Sequence, residues 1–104
     1  MARFVLIRER CGKWDWNKPM REQAAWDAHA AFMDQLADEG FILAGGPLGT
    51  EDEALRIMHV VEAAGADMVE RRMAEDPWTS MGLLRTLSVE PWTVLLGGFH
   101  RPKG

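Results

Sequence analysis

FILAGGPL (residues 41–48), GTEDE (49–53) and ALRIMHVVEA (54–63) together form the stretch that decides the fold. The first and third segments are apolar and rich in branched side chains, which predicts β-strands, and the polar segment between them predicts a turn. The middle of the chain therefore contains two consecutive strands with no helix between them. Gly45 and Gly46 lie inside the first strand, where glycine often marks a bulge or a close approach of the backbone.

Helical periodicity occurs on both sides of this strand pair. Residues 19–39 begin with a proline suited to the first turn of a helix, and Gly40 follows as a stop. Residues 66–76 end before Pro77, because the residue that precedes a proline disfavours helical geometry. Side chains recur at helical spacing in both segments: Trp26, His29, Met33 and Leu36 in the first, and Ala66, Val69 and Met73 in the second.

Two further apolar segments predict the outermost strands. They are RFVLIRE (3–9) and LLRTLSVEPWTVLLGG (83–98), the latter interrupted at Pro91, which implies an edge or a bend. The element order β-α-β-β-α-β predicts an α+β fold, the ferredoxin-like unit with a four-stranded antiparallel sheet. With 104 residues the chain has the size of one domain, so we expect residues 1–104 to form a single domain with a loose tail from about residue 98.

The strands are apolar on both faces. Phe4 and Leu6 alternate with Val5 and Ile7, so large apolar side chains point to opposite sides of the sheet. Two helices can cover one face only, and an apolar second face has to be buried by something else. A second copy of the chain, packed with two-fold symmetry, is the simplest solution, so we expect a homodimer.

Composition argues against several classes of function. The net charge is −4, with no clustered basic stretch, which disfavours nucleic-acid binding. Cys11 is the single cysteine, which precludes an internal disulfide or a thiolate metal cluster and favours a reducing compartment. The histidines (His29, His59 and His100) lack ligand spacing, so neither a metal nor a cofactor is expected. No apolar run approaches the roughly 20 residues of a membrane span, so we expect no membrane association and a cytoplasmic protein.

Four short sequence elements, in the same order and spacing, resemble the YciI-like (YCII-related) family. They are the helix-borne His29, the element from Ala44 to Pro47, the tripeptide Asp76-Pro77-Trp78 and the strand end Pro91-Trp92. The resemblance covers about residues 3 to 95 and implies that two ferredoxin-like units pair into a dimeric α/β barrel. It also implies an active site of His29 and Asp76, with elimination (lyase-type) chemistry in part of the family. The loop GKWDWNKP (12–19) departs from the family pattern because it is longer and more aromatic.

His29 and Asp76 are the candidate catalytic residues. Histidine suits proton transfer near neutral pH, and a partner carboxylate fixes its tautomer and stabilises the imidazolium. His29 lies on the apolar stripe of its helix, so a core histidine bonded to a backbone carbonyl is the alternative. Asp76 either bonds to His29 or caps the PWTS turn that follows it, and one carboxylate has enough acceptor sites for both.

Six further residues are candidates for substrate binding. Trp14, Trp16 and Trp78 form either an apolar pocket wall or part of the dimer interface. Arg8 is either a clamp for a substrate carboxylate or a solvated strand end. Gly46 and Pro47 either bring bare backbone N–H groups beside a ligand or form a bulge that bends the strand. His59, which alternates with Ile57 and Val61, is expected to be structural.

These residues predict a small-molecule enzyme in which His29, oriented by Asp76, acts as general base or acid. Cofactor-free elimination or isomerisation is the reaction class that needs only this equipment. The alternative is a non-catalytic ligand-binding or accessory homodimer that uses the same pocket. A binding module would keep its affinity when His29 is replaced by an amide that still forms hydrogen bonds.

Overall fold

The computed structural model describes residues 1–99 and has a ferredoxin-like α+β fold. Its antiparallel sheet contains β1 (Ala2–Arg10), β2 (Ile42–Pro47), β3 (Arg56–Ala63) and β4 (Leu84–Pro91), in the spatial order β2-β3-β1-β4. The central strands β1 and β3 pair from Ala2 opposite Ala63 to Glu9 opposite Arg56. The fold class predicted from the sequence is confirmed, including the two consecutive strands in the middle of the chain.

The helices lie between the strands in the predicted order. They are α1 (Trp26–Asp38), α2 (Ala66–Ala74) and the single-turn α3 (Pro77–Ser80), and a 3-10 turn spans Met20–Glu22. Gly40, with φ of 79°, follows α1 in the left-handed conformation that glycine adopts easily. None of the helices within residues 1–99 is both long and apolar enough to cross a bilayer.

The main core lies between one face of the sheet and the helices α1 and α2. Phe4, Leu6 and Val61 supply the sheet side, and Leu36 and Met73 lie opposite them on the two helices. All five are almost completely buried. Since side chains alternate across a strand, Arg8, Arg10 and His59 point to the same side as this core, nearer one end of the sheet. The core therefore continues into a polar end, and that end forms the candidate site.

The predicted helix over residues 19–39 is interrupted. It is divided into the 3-10 turn and α1 because Gln23, which is buried, donates from its side chain to the carbonyls of Asp15 and Lys18. Ala25 then adopts φ of 58°, the left-handed region, immediately before α1 begins. The apolar periodicity of the segment contains no sign of this break, which accompanies hydrogen bonds from a side chain to the loop just before it.

The last strand and the second helix are shorter than predicted. β4 ends at Pro91, not at residue 98: the amide of Trp92 still bonds to the carbonyl of Arg3, and no regular structure follows through residue 99. Leu95 and Leu96, which made the segment look strand-like, are exposed. α2 ends at Ala74 instead of residue 76. Most of the tail predicted to be loose, residues 100–104, lies outside the described residues.

Ala25→Gly is expected to stabilise the fold by about 1 kcal/mol, because glycine has no Cβ to clash in the left-handed region. The matched control is Ala31→Gly in the exposed interior of α1, where the same substitution should destabilise by about 1 kcal/mol. Urea unfolding of the three proteins measures both differences. If both substitutions changed the free energy of unfolding in the same direction, the strained conformation of Ala25 would be contradicted.

Candidate active site

A cavity of about 350 Å³ lies at the polar end of the core, between the N-terminal part of α1 and the sheet. Aromatic and aliphatic side chains form most of its wall, and a few polar groups face it. The residues that line it and enter the argument below are Arg8, Arg10, Trp14, His29, Gly46, Pro47, His59 and Trp78. A cavity of this size accepts a small organic molecule.

His29 and Asp76 form a buried pair at the inner wall of this cavity. The His29 Nδ1 atom lies 2.9 Å from both carboxylate oxygens of Asp76. His29 lies in the first turns of α1, and its imidazole retains a small exposed area, whereas Asp76 is completely enclosed. An ionised carboxylate only accepts hydrogen bonds, so Nδ1 carries the proton and Nε2 of the neutral ring carries a lone pair.

Asp76 is held by three groups at once. It is the N-cap of α3, where its Oδ1 accepts from the amide of Trp78 at 2.9 Å, and its Oδ2 accepts from Arg8 Nη1 at 2.8 Å. Burial raises the pKa of Asp76, but the hydrogen bonds from His29, Arg8 and Trp78 outweigh it and hold this pKa below its usual value. Asp76 therefore bonds to His29 and caps α3 with the same carboxylate, so the two predicted roles are compatible.

Trp78 fixes the plane of the imidazole. Its ring is stacked on that of His29, with 3.8 Å between the centroids and 7° between the planes. The indole N–H of Trp78 donates to the carbonyl of Ala24 at 2.7 Å, and the edge of Trp14 meets Trp78 at 5.1 Å. The Nδ1–H group shared between the two Asp76 oxygens, together with the stacked face of Trp78, leaves His29 little freedom to rotate.

The structure brings most of the predicted site residues together, with two corrections. Arg8 is fully buried, and its two terminal nitrogens already bind Asp76 and Thr79, the latter at 2.6 Å. It is not a solvated strand end, and although its side chain lines the cavity, both terminal nitrogens are already bonded within the protein and are not free to clamp a substrate carboxylate. Trp16 is 52% exposed and is not among the residues that line the cavity, although its ring lies 6.2 Å from Trp14.

Gly46 and Pro47 line the cavity wall at the end of β2, but the register shift between β2 and β3 falls earlier, between Ile42 and Ala44. The predicted bulge at the glycines is therefore misplaced by about two residues. Gly45 and Gly46 pair regularly with His59 and Met58. What distinguishes Gly45 is its closeness to a side chain of β3, since a Cβ built there would meet the His59 ring.

Sequence reasoning missed Arg10. Its guanidinium lies 4.3 Å from the centre of the Trp14 ring and donates to the carbonyls of Ala54 and Glu51 in the segment that precedes β3. The strict alternation of Phe4, Leu6, Arg8 and Arg10 on one face of β1 was the available signal. It indicates that both arginines point inward, where arginine is rarely found without partners.

No group of three or more histidine, cysteine, aspartate or glutamate side chains within residues 1–99 is arranged to hold a metal ion. Within the described residues, His29 and Arg8 bond to Asp76, and Arg10 donates to backbone carbonyls.

Comparison with known proteins identifies a family and a solved structure of similar fold. The family model of the YCII-related domain matches residues 2–93. The chain belongs to this family. The 5-chloro-2-hydroxyhydroquinone dehydrochlorinase of Burkholderia phenoliruptrix, solved in complex with 2,5-dihydroxybenzoquinone, is similar in structure, with a TM-score of 0.57 and 28% sequence identity over 88% of this chain and 93% of the other. No curated protein matches the sequence at a significant level.

Within this YCII-related domain, the arrangement of the inner wall suits a base better than a nucleophile or a simple anion site. Asp76 accepts a hydrogen bond from the Nδ1–H group of His29, and Arg8 helps to keep Asp76 ionised. The remaining imidazole nitrogen can accept a proton from a molecule in the cavity, and the imidazolium that forms is stabilised by the adjacent carboxylate.

Proposed function

We propose that this protein is an enzyme for a small organic substrate and that His29, oriented by Asp76, is its general base and acid. The observation that carries the proposal is the buried His29–Asp76 pair whose imidazole lines a cavity of about 350 Å³. Buried, hydrogen-bonded carboxylates beside a histidine in a cleft are typical of catalytic sites. The structural relative is a dehydrochlorinase, which supports lyase-type chemistry.

Elimination is the reaction that we favour. A hydroxyl proton first moves to the ring carbon that bears chlorine, which gives a ketone tautomer. His29 Nε2 then takes a second hydroxyl proton, the electron pair left on oxygen forms a carbonyl and shifts the adjacent ring double bond, and chloride departs with the electrons of its bond to carbon. The overall change is loss of HCl, with no net oxidation, so the proton on His29 is returned to solvent before the next turnover. Isomerisation would use the same base and would return the proton to a different atom of the substrate.

The wall of the cavity supports a planar, partly apolar substrate. Trp14 and Trp78 meet edge to face, and the Arg10 guanidinium lies against Trp14. Aromatic walls of this kind favour ring compounds, since stacked and edge contacts add to the burial of apolar area. A chlorinated, hydroxylated benzene ring of the kind named for the relative is the first substrate to test.

The test is release of chloride from 5-chloro-2-hydroxyhydroquinone by the wild-type protein and by Asp76→Asn. We expect release by the wild type and, because an amide does not stabilise the imidazolium, a turnover lower by about 10²–10⁴-fold in the variant. Binding measured by calorimetry should change less than turnover. Binding without release in the wild type would favour the non-catalytic module, and an equal loss of binding and turnover would contradict the role of Asp76.

We also propose that the protein is a homodimer and acts in the cytoplasm. The face of the sheet opposite α1 and α2 carries Val5, Ile7 and Met58, which are only partly buried in the single chain. A second copy that packs sheet to sheet would cover them. Light scattering should then give about twice the 11.7 kDa of one chain, and Ile7→Lys should shift the mass towards that of one chain. A wild-type mass of one chain would contradict the dimer.

A further inference from the structure

His59 is a buried histidine of the cavity that the proposed reaction leaves unused. It lies in β3 on the face of the sheet that carries the helices, and its side chain is 6% exposed. Its Nδ1 atom is enclosed and has no hydrogen-bond partner among residues 1–99. A purely structural histidine would be expected to bond to a neighbour, because buried polar atoms nearly always do.

Gly45 determines which ring nitrogen of His59 carries the proton. A Cβ built on Gly45 would lie 2.4 Å from His59 Nδ1, so the ring packs directly against the glycine backbone. If Nδ1 carried the proton, its N–H would face the Gly45 backbone and would have no acceptor, which is costly. An unprotonated Nδ1 loses only a hydrogen bond that it could have accepted. The neutral ring therefore carries its proton on Nε2, which is not among the enclosed, unpartnered atoms.

The His59 ring is uncharged at neutral pH. Burial lowers the pKa of His59 to about 4; the nearby positive charge of Arg8 acts in the same direction, and the charge of Asp76 opposes it only in part. A neutral imidazole has one donor and one acceptor. Since Nδ1 is the enclosed acceptor, the donor at Nε2 is the group that a molecule in the cavity can use.

We infer that His59 is a specificity-determining residue that donates a hydrogen bond from Nε2 to an oxygen atom of the ligand. His29 offers the opposite polarity, because Asp76 holds its Nδ1–H and leaves Nε2 as an acceptor. Both histidines are satisfied by a ring compound with two oxygen groups. A hydroxyl group of the ligand donates to Nε2 of His29, and a carbonyl or phenolate oxygen accepts from Nε2 of His59. This inference rests on the proposed function for the site, but it concerns recognition and not the chemical step.

The test uses 2,5-dihydroxybenzoquinone as a probe and calorimetry on the wild type and on His59→Leu. Loss of the donor should weaken binding by about 10- to 100-fold, the usual effect of removing a hydrogen bond to a charged or strongly polar group. His59→Gln, which keeps an N–H donor, should recover part of the affinity. His59→Leu should also unfold at the same or a higher urea concentration, because it removes an unpartnered buried polar atom. A structural histidine would give the opposite: weaker stability with unchanged binding.

A second measurement reads the tautomer directly, by ¹⁵N NMR of His59 at neutral pH in the protein without ligand. We expect a protonated Nε2 and a bare Nδ1; a proton on Nδ1, or a charged ring, would overturn the inference. Gly45→Ala should displace the ring and shift its signals, whereas Gly46→Ala, whose Cβ meets nothing within 4 Å, should leave them in place. Equal shifts in both variants would contradict the contact with Gly45.

The two proposals fail separately. Chloride release by the wild type with no effect of His59→Leu on probe binding would refute the role of His59 and leave the enzyme intact. Probe binding that depends on His59, without turnover of the chlorinated compound, would refute the proposed reaction and support the inference. Absence of any probe binding by the wild type would contradict the class of ligand assigned to His59.

Discussion

Replacing His29 with glutamine is expected to lower kcat for chloride release by about 10²–10⁴-fold, which is the usual contribution of a positioned general base. Glutamine can still donate to Asp76, whose oxygens lie 2.9 Å from the histidine Nδ1, but an amide does not take a proton from the substrate. KM should change less than kcat, because Trp14 and Trp78 remain to hold the ring. Steady-state kinetics of the variant and the wild type separate the two constants.

Chemical rescue provides the control for this substitution. In His29→Ala the missing ring leaves a space against Trp78, on which the imidazole of the wild type is stacked. Added imidazole should restore part of the turnover in His29→Ala and none in Asp76→Asn, since the latter still contains its own imidazole. A loss in His29→Gln that appears only in KM, or a variant that imidazole fails to rescue, would argue against a base at this position.

Replacing Arg8 with methionine is expected to lower the free energy of unfolding by about 3–5 kcal/mol, because it leaves the buried carboxylate of Asp76 without its charged partner. Both side chains of this ion pair are fully enclosed, at 2.8 Å. The matched control is Arg85→Met. Arg85 pairs with Glu9 at the surface of the same sheet, and its loss should change stability little. Urea unfolding at neutral pH compares the two.

The pH dependence of urea unfolding shows whether the charge of Asp76 is responsible for the loss of stability in Arg8→Met. The folded-state pKa of Asp76 is lowered, so its stabilising effect is complete above its usual pKa of 3.8 and is lost as the pH falls through the folded-state value. Arg8 contributes to that lowering, so the difference between wild type and Arg8→Met should shrink as the pH falls below about 4. A difference independent of pH would mean that the arginine stabilises the fold through packing alone.

The sequence predicted the fold well because the fold depends on repeated local patterns. Alternating apolar residues in 54–63 and the helical stripe of Val69 and Met73 are properties of single segments, and each element lies close to where these patterns place it. The errors arose where a specific side-chain contact, or the lack of a strand partner, overrides the pattern. Gln23 interrupts the helix by bonding to a loop, and the apolar residues after Pro91 have no strand to pair with.

The candidate site was only partly predictable for the same reason. His29 and Asp76 could be named from the family resemblance, and the position of Asp76 as an N-cap follows from the local motif with Pro77. The contact from Arg8 to Asp76 joins residues 68 positions apart and has no local signature. The unpartnered Nδ1 of His59 was equally invisible, because it results from the packing of two strands at Gly45.

The most direct test of the central claim is the tautomer of the neutral His29 ring, read by ¹⁵N NMR in the wild type. The account predicts a proton on Nδ1, bonded to Asp76, and a bare Nε2 whose signal shifts when 2,5-dihydroxybenzoquinone is added. In Asp76→Asn the preference for Nδ1 should weaken. A His29 ring protonated on Nε2 in the wild type, or one that does not respond to the probe, would mean that this histidine is not the base of the site.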